Sequence, residues 1–353
     1  MVTLGVRRWE TLAGSVQGVG KRRNQDWFDC QGTGSGDDPL VLAVADGHGS
    51  AVHARSALGA RFAVDRFLPL AASFGRAAHD CHEPGRLTRL MTYARDDFPR
   101  ALVHEWRQEA LGHWDRNRPV VEEAAREPRP QEKLVLYGTT LIGAVLTPWL
   151  FVAWQIGDGD LAVVEHDGTL SRPLAPAEED LGDETESLCG REAWLSVRMH
   201  WAPVFEEARA PRLVVLSTDG LSKSFASGDG YGEFVRGLAG RLAEKGLADV
   251  RETLPDWLAQ ASRYSGDDTT LAAALRPSET PLPAETPAPA DAPAPAGTPV
   301  PEEISAPGEI STPAEVSAPA EVSEETPADA GTAAERADGE ADGDADMERK
   351  TET

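Results

Sequence analysis

Six short stretches of the chain read as β-strands from their apolar runs: LVLAVAD (40–46), TLIGAVLT (140–147), WLFVAWQIG (149–157), DLAVVEH (160–166), RLVVLSTDG (212–220) and TTLAAAL (269–275). Several are apolar on consecutive positions, the pattern of strands buried on both faces. TTLAAAL has the lowest β propensity of the six. Turn signals at Thr147-Pro148 and Gly157-Asp158-Gly159 separate neighbouring runs at hairpin distances, which predicts antiparallel pairing. Helical spacing interrupts these runs. Residues 51–68 place Ala54, Ala57, Leu58, Phe62 and Val64 near helical spacing, and residues 93–112 place Ala94, Phe98, Leu102, Trp106 and Ala110 on one stripe. Two more helices are predicted over 231–245 and 248–262, with a charged, Pro-bearing surface connection over 113–133. This order of strand, long helices, strand meander, helices and last strand suits antiparallel sheet packed on helices, rather than alternating β-α units.

Composition divides the chain. Residues 277–353 hold 13 of the 26 Pro residues and no Phe, Trp or Tyr. They also carry 19 Asp and Glu against 3 Lys and Arg, so most of the net charge of −25 belongs to them. Such a segment has nothing to bury and reads as disordered. Its tandem hexapeptides ISAPGE, ISTPAE and VSAPAE (304–321) read as an extended, polyproline-like spacer rather than a solenoid. The expected organisation is a globular body over 1–276 and a disordered acidic tail, rich in Pro, Ala and Glu, over 277–353.

A body of that length can bury a large core without staples. Three cysteines (Cys30, Cys81 and Cys189) at irregular spacing fit a reducing compartment and no disulfide framework. No run of about 18 apolar residues occurs, so no membrane span is expected. The start, MVTLGVRRWE, lacks an apolar signal core and reads as cytoplasmic. A net negative body is a poor partner for a phosphate backbone, which argues against nucleic acid. High Ala, Gly and Arg with few Lys fits a high-GC bacterial source.

The informative residues are acids at strand ends, beside glycine. Asp46 closes LVLAVADGHG, Asp158 follows WLFVAWQIG, and Asp219 closes RLVVLSTDG. Asp267 and Asp268 precede the last strand, and Asp26 lies in GKRRNQDWF. Carboxylates held rigidly beside a core are costly without a counter-ion, and a shared cation supplies one. Oxygen-only ligands select hard ions such as Mg²⁺ or Mn²⁺ over zinc. Gly47 and Gly220 would let backbone approach a ligand closely.

Six motifs in order make the pattern specific. They are Gly20-Lys21-Arg22-Arg23-Asn24-Gln25-Asp26, Val44-Ala45-Asp46-Gly47-His48-Gly49, Gly138-Thr139-Thr140, Gly157-Asp158, Ser217-Thr218-Asp219-Gly220 and Asp267-Asp268-Thr269-Thr270-Leu271. Over nearly all of residues 5–275 the sequence resembles the metal-dependent type 2C serine/threonine protein phosphatase (PPM) family, in a bacterial subgroup. Pattern and resemblance together give an α+β fold, a four-layer α-β-β-α sandwich of two antiparallel sheets flanked by helices, with the metal site between the sheets at one edge.

The resemblance implies hydrolysis of phosphoserine and phosphothreonine in proteins, opposing a Ser/Thr kinase, with two Mn²⁺ or Mg²⁺ ions and an activated water. Asp46 looks like the bridging carboxylate, with the Gly47 carbonyl as another ligand and Asp219 and Asp267 completing the set. Asp26 resembles the acid that holds the attacking water. His48 matches the acid that protonates the leaving oxygen. One of Lys21, Arg22 and Arg23 should bind phosphate, with Arg22 preferred. The chemistry needs no thiol, so the cysteines are expected to be bystanders.

Two departures bear on this reading. Gln25 stands where many members carry Glu, which removes a charge. Lys223 stands where many carry Asp, so a third ion at Asp158 is the weakest part of the implied set, and the lysine ammonium could substitute for it. These departures motivate an alternative, a catalytically weakened phosphatase-like binding or regulatory module. Another is a phosphatase dedicated to an anti-sigma-antagonist type regulator. The acidic stretch 178–188 is expected to be a flap that affects substrate choice.

Overall fold

The computed structural model describes residues 8–79, 84–118, 126–175, 186–204, 210–226 and 228–276. The expectations for the tail, for Cys81 and for residues 178–185 lie outside the described residues.

Two five-stranded antiparallel sheets form the centre. One runs β1 (Glu10–Val16), β10 (Thr269–Leu275), β9 (Leu213–Ser217), β6 (Asp160–Val164) and β7 (Leu170–Ser171). The other runs β2 (Trp27–Gln31), β3 (Leu40–Ala45), β4 (Leu141–Leu146), β5 (Leu150–Ile156) and β8 (Arg198–Pro203). All six strands expected from the apolar runs are present.

Strand periodicity explains why those runs are continuously apolar. In β3, Val41, Ala43 and Ala45 face helices, while Leu40, Leu42 and Val44 face the opposite sheet. In β9, Val214 and Leu216 join that inter-sheet core, and Leu213 and Val215 join the core under the far helices. The result is three apolar layers within a four-layer sandwich, as the sequence predicts. Each fully buried Leu, Val or Phe contributes roughly 1.5–3 kcal/mol relative to exposure.

Helices α1 (Ser56–His79) and α3 (Phe98–Arg116) cover one outer face, with α2 (Pro84–Thr92) and a π-helical turn (Tyr93–Asp97) leading into α3. Phe98 stacks on Trp154 at 4.1 Å between ring centroids, and Trp154 Nε1 donates to Ala94 O at 2.7 Å. The far face is covered by α6 (Gly228–Ser265). The break in α6 falls at Gly246, whose φ of 83° is in the left-handed region that glycine tolerates. It separates the two helices expected from sequence.

Four expectations need correction. The helix expected at 51–68 begins only at Ser56, because 51–53 form a single 3₁₀ turn, and it runs on to His79. The connection expected over 113–133 is shortened by α3, which reaches Arg116, and by α4 (Pro130–Val135). The strand meander misses β1, β2, β7 and β8. Finally, Gly157-Asp158-Gly159 is not a hairpin turn. It carries the chain from β5 in one sheet to β6 in the other, where Asp160 pairs with Ser217. That crossing brings Asp158 to the seam between the sheets.

Candidate active site

The strand register brings the acids together. Trp27 pairs with Ala45, so Asp26 and Asp46 flank one end of β2 and β3. Leu271 pairs with Ser217, so Asp219 and the Asp267-Asp268 pair share an end of β9 and β10. Asp26 spans the gap between sheets. Its Oδ2 accepts from Thr218 Oγ1 at 2.8 Å and Thr270 Oγ1 at 2.7 Å. Both threonines lie inside the sequence motifs, which by themselves give neither a role. A buried Asp26 needs donors, and that need is the signal that could have found them.

The backbone around Asp46 is clamped. Its carbonyl accepts from Thr140 N at 2.9 Å and Thr139 Oγ1 at 2.8 Å, and its N–H donates to Thr140 Oγ1 at 3.1 Å. This gives the Gly138-Thr139-Thr140 motif a mechanical role. The glycines allow close approach: a Cβ on Gly47 would meet Gln25 O at 2.8 Å, and one on Gly220 would meet Asp268 O at 2.0 Å. Gln25 belongs to the same clamp. Its side-chain amide donates to His48 O at 3.1 Å and Ser56 Oγ at 2.5 Å.

Asp268 is fully buried and satisfied. It accepts from Gly18 N at 2.7 Å and Gln25 N at 2.8 Å, pinning the N-terminal motif to the last strand. The basic residues of that motif diverge. The Lys21 ammonium pairs with Asp267 and lies 3.3 Å from Asp268 Oδ2. Arg22 is exposed, and Arg23 Nη2 donates to Ala54 O at 2.6 Å. The structure therefore brings Lys21, and not Arg22 or Arg23, to the acids. Lys223 pairs with Asp219 and lies 3.6 Å from Asp158 Oδ2.

The electrostatics are those of a site short of positive charge. Burial, with Asp268 and Asp219 nearby, pushes Asp26 up to about 7, against the pull of its two threonine hydrogen bonds. Burial, then Asp26 and Asp219, hold Asp46 well above the usual carboxylate range. Burial and Asp219 raise Asp158, with Lys223 opposing. Burial pulls Lys21 down, but Asp267, Asp268 and Asp46 outweigh it and take the ammonium up to about 12.

Two carboxylate oxygens, Asp26 Oδ1 and Asp219 Oδ1, are buried with no hydrogen-bond partner. Orphaned anionic oxygens of this kind are costly and call for a cation. Among the described residues, no three His, Cys, Asp or Glu side chains are already arranged around one metal position. The acids are held instead by lysines and by one another. The donors are all oxygen, and the two lysines compensate only part of their charge, so they fit hard divalent ions.

His48 is half-buried at the edge of the cluster, with its ring 4.8 Å from that of His53. Burial, and then His53, lower its pKa, while Asp158 acts against them. His53 Nδ1 donates to Val135 O at 2.5 Å. Beside these rings opens a cavity of about 870 Å³, lined on its far side by Glu186, Ser187, Arg191 and Leu195. Glu186 and Ser187 belong to the stretch expected to form the flap. Burial raises the thiols, Cys30 to about 12 and Cys189 in the same direction, which disfavours the nucleophilic thiolate.

A bacterial serine phosphatase superimposes with a TM-score of 0.50 at 14% identity, covering 77% of this chain and 99% of that one. The Stp1 phosphatase of Staphylococcus aureus gives 0.49 at 14% identity, over 76% of this chain and 96% of that one. The catalytic domain of the serine/threonine phosphatase PstP, solved with two manganese ions, gives 0.47 at 18% identity, over 76% and 98%. No curated protein matches the chain in sequence. The profile of the protein phosphatase 2C family, by contrast, matches residues 15–259, more than half the chain. With that match spanning every acid described above except Asp267 and Asp268, the chain belongs to the protein phosphatase 2C family and is a protein serine/threonine phosphatase.

Proposed function

We propose that the chain hydrolyses phosphoserine and phosphothreonine in proteins with two divalent ions, Mn²⁺ or Mg²⁺, held by Asp46, the Gly47 carbonyl, Asp219 and Asp267. One observation carries this reading: acids from both sheets converge, and Asp26 Oδ1 and Asp219 Oδ1 are buried there without partners. When bound, the ions would supply Lewis-acid chemistry, lowering the pKa of water and offsetting phosphate charge.

The chain's own residues do the rest. Asp26, fixed by Thr218 and Thr270, keeps Oδ1 as the acceptor for a proton of the attacking water. Lys21 takes the phosphate-binding role in preference to Arg22, supported by its ammonium standing beside Asp267 and Asp268. As a compact point charge it binds phosphate oxygens without the bidentate geometry of an arginine. His48 is the group placed to give a proton to the leaving serine or threonine oxygen, a strong base that needs one, with Asp158 favouring its protonated form against burial and His53. The cavity beside His48 receives the peptide flanking the phosphorylated residue. A Ser/Thr kinase supplies such substrates.

The test is turnover of p-nitrophenyl phosphate and of a phosphothreonine peptide with Mn²⁺, by the full chain and by its Asp46→Asn and Asp219→Asn variants. Loss of at least 100-fold is expected in both variants, on the order of 3 kcal/mol in the barrier. Wild-type protein no faster than the variants would overturn the proposal.

A further inference from the structure

We infer that the Lys223 ammonium is a resident cation of the acidic cluster, bridging Asp219 and Asp158 and fixing the divalent-ion complement at two. The inference rests on the dimetal reading above and deepens it. The bridge is built into the local fold. Asp219 is the first residue of the short helix α5 (Asp219–Ser222), and Lys223 N donates to Asp219 O at 2.8 Å, closing that turn. The i, i+4 spacing returns the lysine side chain over the aspartate, where Nζ pairs with Asp219 Oδ2. Asp158 arrives from the crossing between the sheets, with its Oδ2 3.6 Å from the same ammonium. One side chain thus compensates two carboxylates from different segments.

Charge counting gives the consequence. The cluster contains six carboxylates, from Asp26, Asp46, Asp158, Asp219, Asp267 and Asp268, and two ammonium groups, from Lys21 and Lys223. With all six ionised, the state that bound cations favour, four negative charges remain, the number that two divalent ions neutralise. The Asp26 Oδ1 and Asp219 Oδ1 atoms, on side chains more than nine-tenths buried, have no hydrogen-bond partner, which marks where a cation would be taken up. Asp219 Oδ2 is taken by Lys223, and its Oδ1 remains for an ion. Asp158 is therefore assigned to Lys223 and removed from the metal set.

Mn²⁺ titration of the metal-stripped full chain by calorimetry tests the assignment, because it counts ions without relying on turnover. Wild-type protein and Lys223→Arg are expected to bind two Mn²⁺ each. Lys223→Met should bind a third, and adding Asp158→Asn to it should return the count to two. The Lys223 side chain is 58% exposed, so these variants keep the fold, which circular dichroism checks. Three ions on the wild-type chain, or two on Lys223→Met, would overturn the assignment while leaving the dimetal reading intact. No Mn²⁺ on wild-type protein would overturn the dimetal reading itself, and the assignment with it.

Discussion

A buried carboxylate short of counter-charge makes metal-free protein less stable as pH rises, and Asp26 allows this to be measured. Its folded pKa is about 7, against an ordinary carboxylate value near 4. Between these values the folded chain keeps a proton that the unfolded chain has lost. Stability then falls with pH, by about 1.4 kcal/mol per unit for one group, and levels off above pH 7. Over that window the loss is on the order of 4 kcal/mol, or roughly 10 °C in Tm for a domain of this size. Other groups act in the opposite direction. Burial lowers His48, His113 and His200, so each contributes a gain as pH rises towards 6.5. A variant separates the two effects. Asp26→Asn keeps an acceptor for the Thr218 and Thr270 hydroxyls but cannot ionise. Thermal unfolding in chelator should show the stability of wild type falling relative to Asp26→Asn from pH 4 onward, by a few kcal/mol in all at pH 8. Saturating Mn²⁺ should erase much of that deficit, because cations beside Asp26 favour its ionised form and remove the penalty that burial imposes. Parallel pH profiles for the two proteins in chelator would refute the reasoning.

Four further outcomes are expected. Lys21→Gln should lower kcat/KM on a phosphothreonine peptide by roughly 10- to 100-fold, the loss of one charge-assisted contact of about 1.5–3 kcal/mol. Arg22→Gln should stay near wild type, and the reverse ranking in steady-state kinetics would return the role to Arg22. Gln25→Glu replaces a donor with a carboxylate against the His48 carbonyl. It should cost about 1–3 kcal/mol in denaturant unfolding without tightening Mn²⁺ binding. Removing residues 277–353 should leave turnover unchanged, and a tenfold drop would show that the tail takes part in catalysis.

The apolar pattern reveals strands where both faces are covered. Every residue of β3, β4 and β5 is buried, so their runs are continuous and visible. The edge strands are different. β2 alternates exposed and half-buried residues, and β8 is half-buried throughout, so Trp27–Gln31 and Arg198–Pro203 carry little signal. The Gly157-Asp158-Gly159 turn misleads for a related reason. A short glycine turn between apolar runs looks the same whether the chain folds back or crosses to another sheet. Only the pairing of Asp160 with Ser217 decides it. The acids were legible because rigid strands fix where their ends lie. The choice of Lys21 over Arg22 and Arg23 is not legible in the same way, because its contact with Asp267 spans 246 positions and depends on a flexible four-carbon stem.

The same distinction removes the footing of the weakened-module alternative. It rested on Gln25 and Lys223 as lost charges in the metal shell. Gln25 turns its amide to the His48 carbonyl and the Ser56 hydroxyl, a donor role towards the carbonyl that a carboxylate cannot perform. Its neutrality therefore serves the loop that carries Asp46 and His48, and it does not weaken the cluster. Lys223 brings positive charge to two acids that would otherwise repel each other. Both departures are compensated where they occur: one holds the backbone of the loop that carries Asp46 and His48, and the other pairs with two acids at the edge of the cluster. A chain that had lost turnover would have no need to keep Asp26 and Asp219 buried with unpartnered oxygens, because each such atom costs stability in the folded state.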